Sequence, residues 1–139
     1  MASILKVDAL QGITAAGDIT VTSEGGAATQ SLQQGLAKVW ANTSSSAITD
    51  SLNTSSFTDN STGNHTVGIS NAMGNTTYGI TGFTRADGSD TAYAYILTAN
   101  AADTKTTSAV QFSSRYQGGG GGSVYDSLEN GFNLHGDLA

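Results

Sequence analysis

The chain has 139 residues and carries five Lys and Arg against eleven Asp and Glu, which gives a formal net charge of −6. This length predicts one domain of ordinary size, or one smaller domain with an appendage. Five scattered basic residues cannot neutralise a row of phosphates, so the charge balance argues against a nucleic-acid partner. The absence of Cys excludes disulfides, Cys-ligated metals and thiol catalysis.

The polarity of the chain comes from short neutral side chains. Only 12% of residues are charged, against about 25% in an average protein, while 36 are Ser or Thr and 18 are Gly. A hydrophobic content of 37% predicts a folded chain with a thin core, for which oligomerisation is a common remedy. The N-terminus lacks a basic stretch leading into an apolar one, and eighteen apolar residues never run together. We therefore expect neither a signal peptide nor a membrane-spanning segment.

Residues 1–28 are predicted to form an attachment arm. They contain two short runs compatible with β-structure, at residues 4–8 and 18–23, and the second alternates apolar and Thr residues with the period of a half-buried strand. The segment has too few apolar residues to fold alone, so we expect it to pack on another surface. The side chains expected to make that contact are Ile4, Leu5, Val7, Ile19 and Val21.

Residues 29–42 are predicted to form one short amphipathic helix. Ser31 and Gln34 match a capping box, and four apolar residues follow at positions i, i+4, i+7 and i+8. Gly35 inside this stretch costs about 1 kcal/mol relative to Ala, so packing must hold the helix. Two interpretations remain open: the apolar face covers the core of its own domain, or it forms the seam of a homotrimer. The four residues are Leu32, Leu36, Val39 and Trp40.

Residues 43–139 are predicted to form a mainly β domain, an antiparallel β-sandwich or a jelly-roll-like fold. Short strand-like runs alternate here with turns rich in Asn, Asp and Gly. Five consecutive glycines at residues 118–122 lack the Lys and the following helix of a phosphate loop, so a hairpin tip is expected there. The strand-like runs cover residues 55–58, 65–70, 77–84, 91–98, 107–116 and 123–128.

Residues with catalytic or metal-binding potential are few and scattered. His65 and His135 lie seventy residues apart, and Asp87 and Asp90 occupy a turn sequence in which carboxylates commonly cap backbone amides. Residues 59–64 are rich in oxygen ligands but depart from the spacing of a calcium loop. We therefore predict a protein that is not an enzyme and that has no catalytic residues, cofactor or metal.

Tyr93 and Tyr95 are the candidate ligand contacts. They alternate with smaller residues in a predicted strand and so share one face, where their rings offer a stacking surface for a sugar. Packing in the core of the domain explains the same spacing equally well.

One stretch of the chain resembles a module of tailed-phage virion proteins. That module has a helix ending near Lys-Ala-Trp, a strand–turn–strand around Asp-Ser-Phe-Asn and Thr-Asp-Asn-Gly-Thr-Gly, and an Asn-Ala-Met hairpin followed by Tyr. Both ends of the chain also look like those of short virion structural proteins of aquatic phages, of the kind found in cyanophages and pelagiphages. The matching residues are 32–42, 50–53, 55–67, 71–73, Asn75 and Tyr78, with residues 3–14 and 135–139 at the ends.

The resemblance implies a location in the virion, a β-rich trimer of the fibre or decoration type, and no catalytic residues. Residues 84–134 lie outside it, and Thr54, Ser61 and the pair Asn64 and His65 depart from its pattern. Composition points to the same class, so the leading interpretation is a non-enzymatic virion structural protein, a decoration or short fibre appendage attached to capsid or tail.

Two other functions remain open at this stage. The chain could form the receptor-binding tip of a tail fibre and hold a host-surface glycan, or it could degrade such a glycan with Asp87 and Asp90. A chain that starts with its own Met and has no shaft repeat favours the structural appendage. The expected partners are other copies of the chain and other virion proteins, with a glycan as partner for the adhesive tip, and neither nucleic acid nor membrane.

Overall fold

The computed structural model describes residues 4–13, 19–22, 25–26, 28–85, 94–98, 105–118 and 121–139. The chain divides into two compact units, residues 1–36 and residues 37–139. The protein is mainly β, with antiparallel sheets and one short helix, as the sequence predicts. The strands are β1 (Thr20–Thr22), β2 (Thr29–Ser31), β3 (Val39–Thr43), β4 (Ile48–Leu52), β5 (Thr54–Ser61), β6 (Asn64–Ile69), β7 (Gly79–Arg85), β8 (Ala94–Thr98), β9 (Ala109–Gly118), β10 (Gly121–Val124) and β11 (Glu129–His135), and the helix is α1 (Leu32–Gly35).

The first unit is built on a small hairpin. Strands β1 and β2 pair antiparallel, with Thr20 opposite Ser31, and α1 follows directly. Ser31 caps this helix and accepts a hydrogen bond from the Gln34 backbone N–H at 3.5 Å, which confirms the predicted capping box. Residues 4–13, of which 4–8 were predicted to be compatible with β-structure, lie in neither strand nor helix.

The predicted helix over residues 29–42 is wrong in its C-terminal half. The helix ends at Gly35, Leu36 has extended backbone angles, and Val39 begins a strand. Strand β3 pairs with β4 on one side and β11 on the other, and the β-branched and aromatic residues within it suit a sheet. Pairing with the adjacent β4 and with the distant β11 therefore overrides a helical pattern that Gly35 already weakened.

The second unit packs two antiparallel sheets against each other. The first sheet has the order β4-β3-β11-β7, and the second has the order β10-β9-β6-β5. Strand β8 pairs with the C-terminal half of β9, beyond the part that pairs with β6. Strands β9 and β10 form the predicted glycine hairpin, with Gly118 opposite Gly121; residues 119–120 lie outside the described part of the chain.

The core lies between these two sheets and is small. Side chains from β3 and β11 meet side chains from β6 and β9, and two residues of the β6–β7 connection complete the cluster. In β3, buried positions alternate with partly buried ones, which is the period-2 pattern of a sandwich strand. The buried apolar residues are Val39, Ala41, Val67, Ile69, Met73, Tyr78, Val110, Phe112, Phe132 and Leu134.

Two residues with positive φ hold the connections around the second sheet. Gly63, at φ +65°, joins β5 to β6, and a Cβ there would lie 2.6 Å from the backbone N and O of Tyr125. Asn53, at φ 59°, joins β4 to β5, and its Oδ1 accepts a hydrogen bond from the Asn71 N–H at 2.7 Å. These positions confirm the structural use of Asn and Gly in the turns.

Truncation of a core side chain should cost far more stability than the same truncation on the surface. Leu134 is fully buried, whereas Leu128 in the same unit is 52% exposed. We expect Leu134→Ala to lower the free energy of unfolding by about 2–5 kcal/mol, through lost contacts and a residual cavity. Leu128→Ala, the matched control, should change it by no more than about 0.5 kcal/mol. Urea denaturation measures both, and equal losses would contradict the position of the core.

Candidate functional site

The side chains expected to attach the arm are largely exposed. Ile4 is 78% exposed and Leu5 76%, while Val7 and Val21 are each about half exposed. Ile19 is partly buried, and its carbonyl accepts a hydrogen bond from the Leu32 N–H at 2.7 Å. No described residue between positions 4 and 36 is buried. The arm therefore presents unpaired apolar surface, and its attachment role remains a prediction.

The four residues predicted for the trimer seam do not form one surface. Val39 is fully buried in the core of its own domain and cannot contact another subunit there. Trp40 follows it in a strand, so it points to the opposite face of the sheet, whereas in a helix the two side chains would have been neighbours. Leu36 is 55% exposed and Leu32 is partly exposed. The predicted four-residue helical seam is thus corrected, while trimer formation itself stays a prediction.

The candidate ligand contacts are only partly described. Tyr93 lies outside the described residues. Tyr95 lies in β8 with its backbone opposite Tyr116, and its side chain falls outside the described part of the structure. The Tyr116 ring packs edge-on against that of Tyr125, with ring centroids 6.0 Å apart.

His65 is a fully buried core residue. Its ring stacks on Phe57, with centroids 5.2 Å apart, and lies 5.6 Å from the ring of Phe112. Both ring nitrogens are buried without a hydrogen bond, although Nδ1 lies 3.7 Å from Oδ1 of Asp59. Burial lowers the pKa of His65, and the carboxylates of Asp59 and Asp126 oppose this shift. A ring so placed cannot activate a hydroxyl or reach a substrate in solution.

The same end of the core carries a cluster of buried polar side chains. Ser114 Oγ donates a hydrogen bond to Asn130 Oδ1 at 2.7 Å and lies 3.3 Å from the Ser127 hydroxyl. Asn130 in β11 lies opposite Thr43 in the neighbouring strand β3. The Asn130 amide nitrogen and the Thr43 hydroxyl are buried without a hydrogen-bond partner. The Ser114 hydroxyl thus bonds within the cluster and the ring nitrogens of His65 make no hydrogen bond, so the two do not form a catalytic dyad.

The remaining candidates for chemistry serve turns or lie outside the description. Asp87 and Asp90 fall outside the described residues, so their predicted capping role is untested. In the oxygen-rich turn, the Asn60 amide donates to the Thr66 hydroxyl at 2.8 Å, and the Asn64 amide donates to the Ser61 hydroxyl at 3.0 Å. Within the described ranges, no group of three or more His, Asp or Glu could hold a metal ion.

A surface that the sequence does not reveal lies on the side of the first sheet opposite the core; we call it the outer face. Gly131 of β11 lies in register with Asn42 on one side and Phe83 on the other. Around it is an open depression of about 240 Å³. The residues of the outer face along its central rows are Trp40, Asn42, Thr81, Phe83, Gly131 and Asn133.

Polar side chains are linked by hydrogen bonds beside this depression. The Asn42 amide donates to Glu129 Oε1 at 2.7 Å, and Arg85 Nε donates to Glu129 Oε2 at 2.8 Å. The Thr49 hydroxyl donates to the Asn42 carbonyl at 2.9 Å. The hydrogen bond from Asn42, and then the Arg85 guanidinium, hold the pKa of Glu129 below its usual value. The two hydrogen bonds also hold the carboxylate in place.

Comparison with protein-family models, with curated proteins and with solved structures finds no match to this chain. Among the described residues, no helix has the length and apolar character needed to span a membrane.

His65 should make the protein sensitive to mild acid. Because its folded-state pKa is lowered, the unfolded chain binds the proton more readily, so stability is present at neutral pH and is lost as pH falls below about 6.5. We expect the free energy of unfolding to fall by up to about 1.4 kcal/mol per pH unit from this residue.

The variant His65→Leu should remove that component of the slope, while His135→Gln should keep it because His65 stays in place. Urea denaturation measures how the free energy of unfolding depends on pH. The series of pH values runs from neutrality down to the range in which Asp and Glu side chains titrate. Equal slopes in wild type and His65→Leu would show that His65 is not the group responsible.

Proposed function

We propose that this chain is a non-enzymatic virion structural protein, a decoration or short fibre appendage attached to a phage capsid or tail. The observation that carries the proposal is the contrast between the two units. The sandwich has its own buried core, whereas every described residue between positions 4 and 36 is at least partly exposed. The resemblance to tailed-phage virion proteins suggests the surface to which such an arm attaches, namely a capsid or a tail.

The physical case for attachment rests on unburied apolar area. Ile4, Leu5 and Val7 are exposed, as are Leu10 and Ile13 further along. Burial of apolar surface is worth about 25 cal/mol per Å², and contiguous exposed apolar segments mark sites of interaction. A segment of this kind can dock along a groove or beside a sheet edge of a neighbouring protein.

The proposal includes a homotrimer and the absence of catalysis. Among the described residues the core contains ten buried apolar side chains, with polar groups at one end, so a second source of stabilisation is useful, and assembly supplies one. The non-enzymatic assignment is supported by the burial of His65 and by its ring nitrogens, which contact no hydroxyl.

A receptor-binding tip is the second candidate, and one observation favours it. The outer face exposes Phe83 beside a fixed row of Asn42, Glu129 and Arg85, which is a surface suited to a ligand. The two roles are compatible, because a projecting appendage can also adhere to a host.

Virion membership predicts that the chain copurifies with particles. We expect quantitative mass spectrometry of gradient-purified virions of the phage that encodes it to find the chain in a fixed copy number, a multiple of three. A non-structural phage protein of similar abundance in the lysate serves as the control for contamination. Loss of the chain from particles at the last gradient step, in parallel with that control, would contradict the proposal.

Deletion of residues 2–36 should separate assembly on the particle from folding. The core residues that the structure describes lie from Val39 onward, so the truncated chain should keep a cooperative thermal transition while losing reattachment to particles stripped of the native protein. Light scattering should give about three times 14.0 kDa for the full chain. Reattachment of the truncated chain at normal occupancy would assign binding to the sandwich instead, and a monomeric full chain would refute the trimer.

A further inference from the structure

The outer face owes its shape to a glycine. A Cβ on Gly131 would overlap the ring of Phe83, so the ring lies against bare backbone. Phe83 is nevertheless 53% exposed, and Trp40 is partly exposed in the lining of the same depression. A large ring that packs on backbone from below and is open above is a stacking platform.

Both donors and acceptors of hydrogen bonds lie beside this platform. Asn42 and Arg85 both donate to Glu129, so a carboxylate, an amide and a guanidinium are aligned next to Phe83. On the row that contains Trp40, Asn133 is exposed and its amide makes only a long hydrogen bond of 3.5 Å to Thr81. Because neighbouring strands lie about 4.8 Å apart, the polar side chains are close to the Phe83 ring. Glu129 and Arg85 lie on one side of it and Asn133 on the other.

This combination fits a saccharide better than other ligands. A sugar ring has a face of C–H groups, which packs on the negative face of an aromatic ring, and hydroxyls that both donate and accept hydrogen bonds. The depression of about 240 Å³ is smaller than the roughly 300–1,000 Å³ of pockets for drug-sized molecules and has room for about one sugar unit of a longer chain.

The negative charge of the chain and of its outer face favours a neutral saccharide as the ligand. It argues against a second copy of the chain as the occupant of this face. The net charge is −6, and on the outer face Asp50 and Glu129 outnumber Arg85. An anionic polysaccharide would be repelled, and two outer faces pressed together would bring like carboxylates close. A neutral glycan is not repelled by these carboxylates.

We propose that the outer face is a binding site for a neutral saccharide, in which a sugar unit stacks on the open side of the Phe83 ring, beside Trp40, and hydrogen-bonds to Asn133 and to the row of Asn42, Glu129 and Arg85. This site differs from Tyr93 and Tyr95, the contacts expected from the sequence. It rests on the second unit alone, so it stands or fails independently of virion membership.

The chain contains one tryptophan, Trp40, which makes its fluorescence a direct reporter of this site. The labelled full-length protein is first applied to an array of neutral and acidic glycans, and neutral oligosaccharides that bind are then titrated while Trp40 emission is followed. We expect binding to neutral glycans and a saturable emission change with a Kd of about 1 mM or tighter. Retention on no neutral glycan, or on acidic glycans alone, would overturn the proposal.

Variants then locate the binding. Phe83→Ala removes the platform but keeps the reporter, and should weaken affinity at least about tenfold. Leu10→Ala, a truncation of a comparably exposed side chain in the first unit, should leave affinity unchanged. If Phe83→Ala does not fold by circular dichroism, Arg85→Gln tests the polar row and should weaken affinity several-fold.

Unchanged affinity in the folded site variant would place the glycan elsewhere and overturn the assignment. A sugar-independent emission change that depends on protein concentration, and that Phe83→Ala abolishes, would identify the outer face as a contact between copies and would also overturn it. Sedimentation of the same samples distinguishes that outcome from glycan binding.

Discussion

Insertion of β11 between β3 and β7 is the constraint on which the rest of the structure depends. The four-stranded sheet is held together at its centre by a strand that comes from near the C-terminus, with Phe132 opposite Ala41 on one side and Gly82 on the other. Phe132 and Leu134 of this strand also enter the core. Because these contacts join distant parts of the chain, formation of the sheet requires the closure of long loops, which costs conformational entropy.

The same pairing creates the outer face. Register places Asn42, Gly131 and Phe83 in one row, although they are far apart in the sequence. A slip of one residue in β11 would reverse its two faces and bring Gly131 into the core. Stability and the proposed saccharide site therefore share one origin, and a change that disturbs the register would damage both.

The core is apolar through its middle and polar at one end. Around His65 and Asn130, buried nitrogen atoms lack hydrogen bonds, and each such group costs about 1–3 kcal/mol. Because acid must charge His65 inside this end of the core, we expect the fold to be sensitive to it.

The sequence predicts the strands whose alternation is clear, and the structure confirms β5, β6, β7 and β9 close to their expected positions. The sequence does not predict β3. Val39 and Trp40 match the spacing of an apolar helical face, although in the structure they lie on opposite faces of a strand. Strand β11 was missed because Asn and Gly residues dilute its apolar pattern.

Three of the residues that carry the resemblance to phage virion proteins have structural roles. Met73 and Tyr78 are buried in the core, and Asn75 accepts a hydrogen bond from the Thr77 N–H at 2.8 Å. The exposed arm was predictable from its few apolar residues. The outer face was not, because Trp40, Gly131 and Phe83 meet only through the register of three strands that are distant in sequence.

Cryo-electron microscopy of the intact virion tests the central claim most directly, because it shows whether the chain is part of the particle and how it is oriented. We expect threefold projecting density into which residues 37–139 fit as a β-sandwich, with residues 1–36 against the capsid or tail and the outer face toward solvent. Particles that contain the chain by mass but show the outer face buried against another protein would contradict the saccharide site. Particles with no density for the sandwich would contradict the structural role itself.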